Sequence, residues 1–262
     1  KILDADNDPY IAESTYPSSE RQYPDKGAGI VSVFKIQKDN YNWAHDDFRI
    51  KDKNNLMIYE LLLRDFTETG DLNGAYQKLD YLEKLGVTAI ELMPVQEFDG
   101  NDSWGYNPCF YFALDKAYGT PEMYKKFIDA CHARGIAVLF DVVFNHATGN
   151  HPFAKLYWDS ENNKTAENNP WFNADAPHDY NVFQDFNHES PLVRQFIKRN
   201  LKFLLEEYHV DGFRFDLTKG FTQNVGGSWD ASEYHEDRIS ILRDYYNTIQ
   251  SVRPEAVMIC EH

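Results

Sequence analysis

Arg214 and Asp216 stand two positions apart in GFRFDLTKG, alternating with Phe213 and Phe215. In an extended strand alternate side chains share a face, so the two charged groups point one way and the two phenylalanines the other. An ion pair buried for stability alone often gains nothing over apolar residues of similar volume. Charge on the inner face of this strand therefore predicts an interior that is polar for a chemical reason. A carboxylate kept ionised by a neighbouring guanidinium is equipped to be a nucleophile, and the expectation is that Arg214 lowers the pKa of Asp216. Asp141, Asn145 and His146 in DVVFNH and Glu261 in ICEH lie at the ends of two further apolar runs.

The elements that must position these residues follow from the hydrophobic periodicity. NLMIYELLLRDF (55–66), GVTAIELMPV (86–95), IAVLFDVVF (136–144), VDGFRFD (210–216) and AVMICEH at the C-terminus read as strands. Leu72, Tyr76, Leu79, Leu82 and Leu85 recur at helical spacing up to Gly86, a stop signal. Thr120-Pro121 and Ser190-Pro191 each read as a cap followed by a first-turn proline. The helices they open carry Met123, Phe127 and Cys131, and Phe196, Ile197, Leu201, Leu204 and Leu205. A last helix around 235–251 carries Ile239, Leu242, Tyr246 and Ile249. Strand and helix at this cadence imply parallel strands, in a barrel or a doubly wound sheet. The polar residues collect at the C-terminal ends of successive strands, where barrel enzymes carry their chemistry, and no glycine-rich phosphate loop follows any strand. The expected fold is an α/β protein, a (β/α)8 TIM barrel of which about the first five strands are present.

Two stretches break the cadence. Residues 147–189 are too long and too rich in Asn and aromatics for an ordinary connection, so they are expected to form a loop domain inserted after the third strand. Residues 1–54 are polar, interrupted by the strand-like GIVSVFK, and read as a connector ahead of a partial barrel over 55–262.

The 262 residues are 42% hydrophobic and 15% aromatic, enough for a substantial core. A formal charge of -16 argues against nucleic acid and anionic membrane surfaces and suits a neutral partner such as carbohydrate. No apolar run approaches the roughly 20 residues of a membrane span. Cys109, Cys131 and Cys260 are odd in number and widely spaced, and are expected to be buried thiols. Nothing fixes the compartment.

DVVFNH (141–146), GFRFD (212–216) and the glutamate of ICEH resemble, in order and spacing, the first three signature regions of the α-amylase family, glycoside hydrolase family 13. FQDFN (183–187) resembles a further short family region, and WGYNP (104–108) the tyrosine segment in the form common among branching and debranching members. The resemblance implies a retaining glycoside hydrolase or transglycosylase acting on α-glucans such as starch or glycogen. Such chemistry needs one carboxylate as nucleophile and a second carboxyl as acid and then base, roughly 5–5.5 Å apart. It assigns Asp216 as nucleophile and Glu261 as acid/base. Tyr106 and His146 then contact the sugar ring being cleaved, Asp141 orients that shell, and Trp104 either extends the stacking platform or packs in the core. Trp158 and Trp171 are better read as loop-domain core than as cleft lining.

The departures matter too. Gly220 replaces the histidine that ends the second region in many α-amylases, which leaves α-1,4 against α-1,6 preference open. Asn145 and Asn187 match positions that help to bind calcium in typical members, with Asn187 in place of an Asp. No cofactor is required for the chemistry, and a structural calcium ion is left as an open expectation. The family's fourth region does not occur in the sequence, so the resemblance implies part of a longer protein, with a β-sandwich module upstream. The competing readings are a non-catalytic α-glucan-binding barrel, an inactive fragment, and, more weakly, a metal-dependent hydrolase built on His146 and Asp141.

Overall fold

Five short apolar runs supply one parallel sheet: β1 (Ile58–Leu61), β2 (Ala89–Leu92), β3 (Ala137–Val142), β4 (Gly212–Phe215) and β5 (Val257–Cys260). The computed structural model describes residues 2–4, 30–32, 40–100, 102–224 and 231–262. Strands neighbour one another in sequence order, with Ile58 opposite Ala89, Ala89 opposite Ala137, Leu139 opposite Gly212 and Gly212 opposite Val257. A doubly wound sheet would reverse its strand order at a switch point. This sheet does not, and the order is that of the first five strands of a (β/α) barrel.

Helices connect the strands. α1 (Leu72–Gln77) and α2 (Leu79–Leu85) replace the single helix expected between β1 and β2, the break falling at Lys78. Gly86 ends α2 in the left-handed conformation at φ 85°, the conformation a C-terminal glycine supplies without strain. α3 (Pro121–His132) starts as expected, the Thr120 hydroxyl accepting from the Met123 amide. α4 (Pro191–Tyr208) starts differently, because the Ser190 hydroxyl donates to the Pro170 carbonyl at 2.7 Å and tethers the preceding loop instead of capping the helix. α5 (Glu236–Val252) buries Ile241, Tyr245 and Ile249, a face turned from the expected one, and Tyr246 is exposed. Tyr245 is drawn inward by a 2.9 Å hydrogen bond to His188 Nδ1.

The sheet divides the apolar residues into two clusters. Val138, Phe140, Val142, Phe213 and Phe215 face outward beneath the helices and join the main core with Phe127, Ile197, Leu201 and Tyr245. Each such side chain contributes about 1.5–3 kcal/mol on burial. The inner face has its own cluster of Ala89, Ala137 and Leu139, against which Phe48, Ile50, Leu56, Val257 and Ile259 pack. Phe48 and Ile50 precede residue 54, where the connector was expected to end. Trp43 stacks on His209 at 4.0 Å, and Asp129 accepts from the amides of Ala44 and His45, so residues 43–50 are docked on the barrel. Upstream, Ile30–Ser32 of the GIVSVFK run pairs with Ile2–Asp4. The rest of that stretch lies outside the described residues.

Two excursions rise from the C-terminal ends of the strands. After β2 comes an antiparallel hairpin, Gln96–Phe98 with Pro108–Leu114, which periodicity did not disclose. After β3, residues 147–189 hold a short helix at Pro152–Leu156 and two-residue strands around a nucleus of stacked rings, Phe153 on Trp171 and Phe172 on Phe186. Trp158 and Trp171 pack against the core, as expected. Cys109 and Cys131 are buried as expected, whereas Cys260, on edge strand β5, is exposed. No described helix is long and apolar enough to cross a membrane.

Candidate active site

The β3–β4–β5 register places Asp141 opposite Arg214 and Arg214 opposite Ile259. One step further along, Asp216 and Glu261 extend the same inner face. Their backbones stay locked in the ladder, with the Asp216 amide donating to Val142 O and the Glu261 amide to Phe215 O, both at 3.0 Å. The alternation that sends Phe213 and Phe215 into the core thus delivers Arg214, Asp216 and Glu261 to the barrel mouth.

One guanidinium organises three carboxyl groups. Arg214 Nη1 donates to Asp141 Oδ1 and Oδ2 at 3.1 and 3.0 Å and to Asp216 Oδ1 at 2.8 Å, while Nη2 lies 3.3 Å from Glu261 Oε2. Asp141 is buried and also accepts from the Tyr106 hydroxyl at 2.7 Å. Tyr106 lies beside the guanidinium, ring centroid 5.9 Å from its carbon. The Glu261 side chain is 48% exposed, open to a ligand in a way that Asp141 is not. Leu217, directly after Asp216, adopts a left-handed backbone at φ 47°, which bulky residues avoid. The turn aims its amide at Glu261 Oε2, 2.8 Å away.

At Asp216 and Asp141 desolvation outweighs the pull of the shared guanidinium. Burial pushes the Asp216 carboxyl up to about 6 against the pull of Arg214, so the expectation that the group ends below its ordinary value is corrected. Arg214 acts in the expected direction; desolvation outweighs it, and the neighbouring Glu261 adds to the rise. Burial raises Asp141 to about 7, again opposed by Arg214 and Tyr106.

His146 is buried, and burial lowers its pKa. Its Nε2 donates to the Tyr106 carbonyl at 2.8 Å and its Nδ1 accepts from Asn145 Nδ2 at 3.1 Å, a pattern that selects the neutral Nε2-protonated ring. Trp104 is 61% exposed, which settles its alternative in favour of surface rather than core. The structure therefore brings Asp141, Arg214, Asp216, Glu261, Tyr106 and His146 together, with Trp104 two residues from Tyr106. Periodicity did not single out Phe183, His178 or Asp185. Phe183 and Asp185 sit in the quoted FQDFN, and His178 carries no local signal.

The calcium expectation can be tested on the oxygens present. Asn145 Oδ1 is buried without a hydrogen-bond partner and lies against Gly220, where a Cβ would come within 1.7 Å of it. The neighbouring oxygens, the Gly220 carbonyl and Asp185 Oδ1, face Nε2 of His178 at 2.8 and 3.3 Å. Asn187 is turned away, its Oδ1 accepting from the Glu189 amide at 3.1 Å. The imidazole engages the Gly220 carbonyl, whereas Asn145 Oδ1 and Asp185 Oδ1 are both buried without a hydrogen-bond partner, so a calcium ion stays a proposal to be tested.

The family model described as the alpha amylase catalytic domain matches residues 46–182, more than half of the chain. The chain belongs to the α-amylase family. It is 40% identical over 182 residues to the malto-oligosyltrehalose trehalohydrolase of Arthrobacter ramosus, covering 67% of this chain and 29% of that one. It is 30% identical to the 1,4-alpha-glucan branching enzyme GlgB of Aliivibrio fischeri, covering 94% of this chain and 36% of the relative. Among solved structures, a putative alpha amylase from Salmonella typhimurium matches at TM-score 0.66 and 28% identity, over 84% of this chain and 34% of that one. Eubacterium rectale Amy13B matches at TM-score 0.65 and 26% identity, over 85% and 48%. The chain thus spans about a third of the length of these curated relatives.

Proposed function

We propose that the chain carries the nucleophile and the acid/base of a retaining enzyme acting on α-glucans, as a hydrolase or a transglycosylase. The observation that carries this reading is the bridge from one guanidinium to Asp216 and Glu261 on adjacent strand ends. Asp216 would attack the anomeric carbon from one face while Glu261 protonates the glycosidic oxygen leaving on the other. The resulting glycosyl ester on Asp216 would be broken by water or a sugar hydroxyl, the incoming proton passing to the Glu261 carboxylate. Arg214 and Asp141 hold the nucleophile, and Asp141 is too enclosed to touch the sugar. The Tyr106 ring offers an apolar face to the cleaved sugar. A sugar hydroxyl bonding to His146 would take the place of the Tyr106 carbonyl at Nε2.

The relatives' names include a trehalohydrolase and a branching enzyme, which is why hydrolysis and transfer both stand. The WGYNP segment and Gly220 incline the reading towards branching or debranching types. The test is to incubate the complete protein with amylose and with pullulan and to follow product anomers by NMR beside Asp216→Asn. Products of inverted configuration would reject double displacement, and undiminished turnover by the variant would reject the nucleophile. Cleavage of amylose reports α-1,4 action, and on pullulan the products report the linkage: maltotriose for α-1,6 cleavage, a trisaccharide that keeps an α-1,6 bond for α-1,4 cleavage.

A further inference from the structure

Phe183 immediately precedes the strand Gln184–Asp185, which pairs antiparallel with His146–Ala147 and sets Asp185 opposite His146. Its ring lies tilted against the His146 imidazole, centroids 5.6 Å apart. Two features of this phenylalanine cost stability. Its φ is 50°, in the left-handed region that bulky L residues avoid, and its side chain is 52% exposed. Glycine or asparagine would relieve the strain and remove the apolar surface from water. Among the described residues, Asn163, Phe183, His209 and Leu217 are the non-glycine residues with positive φ, and Leu217 is the one whose amide reaches Glu261. Phe183 keeps an uncomfortable backbone beside the same mouth and holds its ring out of the main core.

The location narrows the ligand. Exposed aromatic rings come from both excursions, Trp104 from the loop after β2 and Phe183 from the loop after β3. Between the excursions, the Tyr106 carbonyl meets His146 Nε2 at 2.8 Å. The mouth itself carries Arg214, Asp216 and Glu261, a polar floor with excess negative charge. A neutral ligand with polar edges and an apolar face suits a charged floor with exposed rings at its side, and a pyranose ring is such a ligand. We infer that Phe183 is a specificity-determining residue that stacks on the glucosyl unit next to the one being cleaved, so that it governs which glucan chains are accepted. The inference rests on the glycosidase reading above and adds the binding of the neighbouring sugar.

The experiment compares two donors on the complete protein. Maltoheptaose fills the neighbouring position, whereas α-glucosyl fluoride occupies only that of the cleaved sugar and needs no proton from Glu261. For Phe183→Ala, kcat/KM on maltoheptaose should fall roughly tenfold further than on α-glucosyl fluoride, with the difference in KM. Phe183→Asn, compatible with the left-handed backbone, should show the same split with a Tm equal to or above that of the wild type, and Phe183→Trp should recover most of the affinity. Equal losses on both donors would overturn the inference and make Phe183 a prop for His146. So would an unchanged maltoheptaose KM in Phe183→Asn. A wild-type protein inert towards both donors and also towards amylose and pullulan would instead overturn the glycosidase reading, and the inference with it.

Discussion

The inner face of the sheet has two ends that differ completely in character. Along β3, Ala137 and Leu139 precede Asp141, and along β5, Val257 and Ile259 precede Glu261. The lower residues pack with Phe48, Ile50 and Leu56 into an apolar cluster in which Ile50, Ala89, Ala137 and Leu139 are buried. The upper ones form a network around Arg214 that no apolar residue interrupts. Two residues along one strand separate a position selected for packing from one selected for reactivity, as the division of labour in parallel barrels requires.

The largest effect expected from breaking this contrast is at the upper end. Asp216→Asn and Glu261→Gln should each lower kcat on a natural α-glucan by about 10⁴-fold, with little change in the midpoint of urea unfolding. A fall of less than tenfold in either would remove that carboxyl from its role. At the lower end the pattern should invert. Leu139→Ala should cost about 2–5 kcal/mol of unfolding free energy, read by urea titration, while kcat of the folded fraction stays near that of the wild type.

His178→Ala sharpens the comparison, because it removes packing and polar pairing at once without touching the mouth. It leaves the Gly220 carbonyl and Asp185 without the imidazole and should cost about 1–3 kcal/mol. A chelator tests the calcium proposal: an unchanged wild-type Tm would reject it, and a drop of several degrees would show that a cation does hold these oxygens.

The smallest effect is a pH shift. Asp216 must be ionised to attack, so kcat/KM should climb as pH rises through about 6. Arg214→Met removes the charge that opposes desolvation and should move that limb upwards by roughly one unit, with a loss of rate besides. Asp141 and Asp216 have folded-state values of about 7 and about 6, above the ordinary 3.8. Their contribution to stability is therefore complete below about pH 4 and is lost as pH rises through 6 to 7. Asp141→Asn should flatten the wild-type loss of Tm between pH 5 and 8.

Strand order, the places of the main helices and the convergence of Asp141, Arg214 and Asp216 were legible in the sequence, because they follow from periodicities of two and 3.6 and from apolar runs that end in charge, whereas Glu261 owed its role to the family resemblance. The hairpin after β2 was not. Its first strand carries Gln96 and Glu97, both buried, and their partners are Asn200, distant in the chain, at 2.8 Å and Lys116, two residues past the opposite strand, at 2.5 Å. The rise of Asp216 was missed for a related reason. Two residues of spacing reveal Arg214, but not how little water reaches the pair. His178 meets Gly220 across 42 residues, and no local pattern announces such a contact.

Arg214 is fastened at once to the tips of β3, of β4's own continuation and of β5. Such a fastening turns three strand ends into one mechanical unit: sliding β5 by a single ångström would disturb the contacts to its neighbours as well. Heating should therefore abolish turnover and near-ultraviolet dichroism in the same transition, and the mouth should not loosen ahead of the body of the barrel.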